Sequence, residues 1–158
     1  MNRIAILIVT LCALMATGCT KGADLQVLRA KGPELTSVTE AGIGFEIGAT
    51  VLNGGAKITI TECSVTLKDM RNGRTLASVE TDGRVAIRRG ASDIDVPITV
   101  TVAGGILGSA AMLKRIDSDT ENISVDLRMK ARKGIIPVKM DLKDVPLREL
   151  KDYLGNFL

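Results

Sequence analysis

At 158 residues, 46% of them apolar, the chain is long enough for one domain with a sizeable core. Its 21 Lys and Arg stand against 18 Asp and Glu, a near balance that gives no electrostatic case for a nucleic-acid partner. Histidine is absent, which removes the commonest general base, the usual zinc and copper ligand, and every Ser-His or Cys-His nucleophile arrangement.

The chain begins with a short positive start at Arg3 and an apolar run from Ile4 to Met15. That run is too short for a lasting transmembrane helix, which needs ~20 residues. Small residues Ala16, Thr17 and Gly18 then lead into Cys19. This order of charge, apolar stretch, small residues and cysteine resembles a bacterial lipoprotein signal with its lipobox. The resemblance implies that residues 1–18 are a signal peptide cleaved after Gly18, and that Cys19 is acylated, palmitate being a typical chain. An ordinary secretory peptide or an uncleaved anchor are the competing readings. The cysteine's place just beyond the apolar run favours the lipid. At ~0.8 kcal/mol per buried methylene, the two or three chains of a mature bacterial lipoprotein attach it for good. Where bacteria sort lipoproteins by the next residue, Thr20 in place of aspartate implies the outer membrane, facing the periplasm. Residues 19–24 read as a lipid-anchored tether and residues 25–158 as a single domain.

Period-two alternation dominates that domain, the mark of strands buried on one face. Ile43, Phe45, Ile47, Ala49 and Val51 form one apolar comb, and Ile94, Val96, Ile98, Val100 and Val102 a second. A third comb is Ile123, Val125, Leu127, Met129 and Ala131, and a fourth is Ile136, Val138, Met140 and Leu142. Long alternating strands with polar outer faces predict antiparallel sheets packed face to face. Gly42, Gly44 and Gly48 leave bare backbone beside the first comb, which predicts a close approach there. The chain's own helix is the expected neighbour, a lipid chain or partner protein the alternatives. Cys63, alternating with Val65 and Leu67, reads as a small buried hydrophobe and not as a reactive thiol.

Two hairpins can be placed from turn chemistry. Around Asn72-Gly73, a three-residue loop pairs Leu67 with Ala77 and Val65 with Val79, with glycine at the left-handed position. Around Lys133-Gly134, pairing Ala131 with Ile136 puts the apolar residues of both strands on one face. That register sets Arg128 opposite Lys139 and Asp126 opposite Asp141, both unfavourable. Ile106, Ala110 and Leu113 recur at helical spacing within Gly105 to Ile116. A short C-terminal helix follows Pro146, carrying Leu147, Leu150 and Leu154 with Asp144 as its cap.

Few residues offer chemistry. Asp93 with Asp95, and Asp141 with Asp144, read as solvated faces. Asp117-Ser-Asp119-Thr-Glu121 resembles the opening of a calcium loop but lacks its glycine and its closing glutamate, so it reads as a polar connection. The aromatics Phe45, Tyr153 and Phe157 are too few for a sugar or single-stranded nucleic-acid platform. Arg128, Lys130, Arg132, Lys133 and Lys139 should form a basic strip on the final hairpin, suited to anionic lipid headgroups or simply to water. No catalytic, cofactor-binding or metal-binding residue is assigned.

The order Ile43-Gly-Phe-Glu-Ile-Gly-Ala-Thr-Val-Leu-Asn53 is similar to the first long strand of the late embryogenesis abundant type 2 family, also called the water stress and hypersensitive response domain. Ile58 to Asp69, the Asn-Gly turn, Thr75 to Glu80 and the Val96-Pro-Ile98 strand continue the likeness over roughly Leu35 to Leu142. Asn53-Gly54-Gly55 departs from the family's Asn-Pro motif. The resemblance implies a mainly β, fibronectin-III or immunoglobulin-like antiparallel sandwich with one helix between late strands, a link to stress tolerance, and no catalytic residues. The expectation is a non-enzymatic envelope lipoprotein that binds or shields something at the membrane surface. A periplasmic lipid or hydrophobic-ligand carrier is the alternative, and a carboxylate-only enzyme the third.

Overall fold

The computed structural model describes residues 25–150. Eight strands form in chain order: β1 (Leu25–Thr39), β2 (Gly42–Asn53), β3 (Ile58–Asp69), β4 (Thr75–Thr81), β5 (Val85–Ile87), β6 (Gly90–Val102), β7 (Ile123–Lys133) and β8 (Ile136–Pro146). One helix, α1 (Gly105–Ser118), and a 3-10 turn at Thr120–Asn122 link β6 to β7. The four apolar combs are the strands β2, β6, β7 and β8, as the alternation predicts.

Every pairing is antiparallel, in the order β1-β2-β6-β4-β3-β7-β8, with β5 also on β3. The predicted two layers are thus one continuous sheet. Its joint is β4, which pairs with β6 on one side and β3 on the other. The sheet doubles over at this joint, so Ala49 and Val51 of β2 share a core with Cys63 and Val65 of β3 and Val125, Leu127 and Met129 of β7. The result is sandwich-like, as expected from the combs. Leu127 and Met129 are each 1% exposed at its centre.

The glycine face of β2 is covered, though not by the helix. Strand β1 supplies the cover at Gly44 and Gly48, and β6 at Gly42, where an added β-carbon would lie 2.7 Å from Val100 O. An added β-carbon at Gly44 would lie 2.3 Å from Ser37 Oγ, and one at Gly48 would lie 2.9 Å from Lys31 Cδ. β1 reaches across because its ladder with β2 slips three times, leaving Leu28, Lys31, Gly32 and Thr36 outside the register. Gly44→Val should therefore loosen β1 selectively, at about 1–3 kcal/mol of overpacking. Amide exchange of residues 34–39 should accelerate more than that of β3 or β7; uniform acceleration would show that the contact is not local.

The final hairpin needs a correction. Ala131 pairs with Val138 and not Ile136, and Lys133 pairs with Ile136, so the loop is only Gly134-Ile135. Gly134, at φ +61°, fills the first position of a two-residue turn that requires it. The shift of two places Arg128 opposite Asp141 and removes both predicted like-charge pairs, while keeping every apolar residue on its face. At the other hairpin Leu67 pairs with Ala77 and Val65 with Val79, as predicted, and Gly73 is left-handed at φ +68°. A slip beyond Leu67 pairs Lys68 with Thr75, so the turn is wider than three residues.

In α1 Ile116 is buried and Met112 half-buried against Leu76, Ala77, Val102 and Ile123. The side chains of Ile106, Ala110 and Leu113 lie outside those described. After β8 the chain makes a 3-10 turn at Leu147–Glu149, and Leu150 is buried in the main core. The expected C-terminal helix and Leu154 fall outside the described residues. Asp144 does not cap this turn; it sits inside β8 at φ +52°, in a bulge opposite Asp126.

Candidate functional site

Cys19 and Gly18 lie outside the described residues, so the lipidation site is placed only through the strand that follows it. β1 starts at Leu25, which pairs with Asn53. Asn53 in turn pairs with Gly90, while Ile58 pairs with both Ile87 and Lys133. One end of the folded sheet therefore gathers the entry of the chain, the β2–β3 and β5–β6 connections, and the tip of the β7–β8 hairpin. Asn53 is fully buried there. Its Oδ1 accepts the Gly55 amide at 3.0 Å and its Nδ2 donates to Ala56 O at 3.0 Å, so the side chain does the work of a turn. The Gly134 amide donates to Lys57 O at 2.8 Å and ties the hairpin tip to the same connection.

Of the predicted basic strip, Arg128, Lys130, Arg132 and Lys139 are on the outer face of that hairpin, whereas Lys133 alternates with Met129 and Ala131 onto the other face. Arg132 faces Pro137, and Lys130 faces Lys139. The like-charge pair is relieved because Lys130 Nζ donates to Glu62 Oε2 on β3 at 2.5 Å. This bond and the charge behind it hold the Glu62 carboxyl below its ordinary value. Arg128 has Asp141 across the ladder. The strip is thus one partly neutralised row and not an unbroken cationic surface.

Two charged clusters join residues that lie far apart in the sequence. Asp69, 1% exposed, ends β3. Its Oδ1 accepts the Arg71 amide at 2.9 Å and Arg71 Nε at 3.0 Å, and its Oδ2 accepts Arg71 Nη2 at 2.9 Å and Arg115 Nη2 at 2.6 Å. Hydrogen bonds from the Arg71 side chain, then from its amide, hold this carboxyl at about 2. Arg71 Nη2 also reaches Asp119 Oδ2 at 2.8 Å, so the polar stretch after α1 is engaged in holding the helix to the β3–β4 turn. A charged pair two apart before an Asn-Gly turn was the local signal; Arg115 arrives from the far side of the chain.

The second cluster is Asp126, which pairs with Lys68 and accepts the Asp144 amide at 2.8 Å. Burial works against its charge, but the Asp144 amide and Lys68 ammonium outweigh it and keep the carboxyl low. Both acids are held ionised, the opposite of a carboxyl raised to donate a proton at neutral pH.

An apolar cavity of about 50 Å³ lies between the two halves of the sheet, bordered by Leu25, Val51, Ile60, Cys63, Val85, Ile94 and their neighbours. Cys63 is buried there, as its alternation predicts. Thr81, the polar group on the lining, accepts the Cys63 amide at 3.2 Å. The volume is well under the ~150 Å³ of an engineered cavity that admits benzene.

No family model matches the chain, and no curated protein matches it. Among solved structures it is similar to the crystal structure of a protein from Archaeoglobus fulgidus, at 13% identity and TM-score 0.41, covering 74% of this chain and 91% of that one. It is also similar to the solution structure of a protein described as late embryogenesis abundant, at 16% identity and TM-score 0.35, covering 89% of this chain and 86% of the other.

Proposed function

We propose that this protein is a non-enzymatic, lipid-anchored envelope protein, held in the outer membrane and facing the periplasm, whose sandwich-like domain acts by contact. The observation that carries this reading is the run from Arg3 through the apolar stretch and the small residues to Cys19. Two features support it. β1 is described from Leu25, six residue steps after Cys19, and Asp69 and Asp126 serve ion pairs within the fold. A stress-protective role is the part of the reading that rests on the resemblance to the late embryogenesis abundant type 2 family.

Cells fed labelled palmitate should yield a labelled protein lacking residues 1–18, and Cys19→Ser should abolish the label and release the protein from membranes. An unlabelled chain with residues 1–18 intact would overturn the proposal. Native mass spectrometry of the protein from envelope extract tests the carrier alternative, which requires a co-purifying lipid and a larger space than the cavity of about 50 Å³.

A further inference from the structure

We propose that the end of the domain bearing the β7–β8 tip is a docking face for an anionic bilayer surface. Ile135 is 90% exposed and Ile136 63% exposed, at the apex of a hairpin held rigid by its two-residue turn. Large apolar side chains presented at a tip are the form in which a protein enters the headgroup region. Around them stand Lys57, Arg88, Arg89, Arg132 and Lys133, brought together by the pairing of Ile58 with Ile87 and with Lys133. The three segments that meet here, 53–59, 86–92 and 132–138, hold these five basic residues and no acidic one, in a chain whose overall charges nearly balance. Such a local excess is what an anionic leaflet attracts. The sequence showed only the Arg132 and Lys133 part of it, because Lys57 and Arg88-Arg89 join through the topology.

The place where the chain enters adds a length argument, and this part rests on the acylation of Cys19. Six residue steps separate Cys19 from Leu25, a reach of roughly 20 Å at full extension. The twelve residues of β2 span about 40 Å. With a tether half as long as the strands, the basic end stays within about 20 Å of the bilayer, whereas the opposite end, with α1, can stand about 40 Å further out. Leu25 lies at the basic end, so the anchor and the docking face select the same orientation.

The chain contains no tryptophan, so a single indole reports its own surroundings. Full-length protein carrying Ile135→Trp, purified from cells and added to phosphatidylglycerol-containing vesicles, should show blue-shifted emission and at least twofold quenching by brominated acyl chains. Leu107→Trp, at a fully exposed site on α1 at the opposite end, should show neither. Replacing Lys57, Arg88 and Arg89 by Ser should cut the Ile135→Trp quenching severalfold, as should 0.5 M salt. Equal emission from both indoles, quenching that ignores charge and salt, or quenching unchanged between anionic and phosphatidylcholine vesicles would overturn the proposal. Palmitate label measured on the same samples separates the two readings. Label without quenching refutes the docking face alone, and quenching without label refutes the anchor alone.

Discussion

Asp69→Ala should lower the thermal midpoint by roughly 5–10 °C, the scale expected when a buried ionic network loses its centre. The carboxylate takes four hydrogen bonds from two arginines that start on different elements, the β3–β4 turn and α1. Removing it leaves Arg71 and Arg115 half exposed and able to hydrate, so the loss is mainly the tie between turn and helix and not a stranded charge. Stability should also fall in acid. The folded carboxyl sits near 2, below its ordinary 3.8, so its contribution is present above pH 4 and disappears as pH falls towards 2. The alanine variant should lack this part of the acid limb. A wild-type profile flat between pH 4 and 2, or a variant that keeps the same slope, would show that the pairs hold nothing together.

Leu127→Ala should be costlier in plain stability, at roughly 2–5 kcal/mol, measured by urea denaturation. Leu127 is 1% exposed at the middle of β7, paired to Val65 on one side and Leu142 on the other. Because both ladders fix its neighbours, the vacated space cannot close by moving one strand. Ile136→Ala, exposed at the hairpin tip, should change stability by less than about 0.5 kcal/mol. If the two substitutions cost the same, the centre of the core does not lie at β7.

Much of this sheet was legible because alternation survives in the strands that bury one face. Its limit is visible in β7 and β8. A slip of one residue turns a comb towards water, but a slip of two leaves it in place, so hydrophobic pattern alone could not choose between Ile136 and Val138 as the partner of Ala131. The turn glycine and the Arg128–Asp141 pairing decided it. β1 escaped notice for a different reason. It lies at an edge, most of its side chains are exposed, and its slips destroy the period on which recognition depends. The glycines of β2 did announce a close neighbour, but not which one. Nor could the basic end be read in advance, since its residues lie in three segments separated by some thirty to forty positions.

The interrupted ladder of β1 has a bearing on crowding. Between slips, no more than three consecutive residues keep register with β2, and Pro33 in the middle withholds a donor. Fibrillar stacking calls for an uninterrupted extended segment of about six residues. Molecules lying side by side would thus find no straight template along one another's β1 edge, and polymerisation through that edge would stall at its first step.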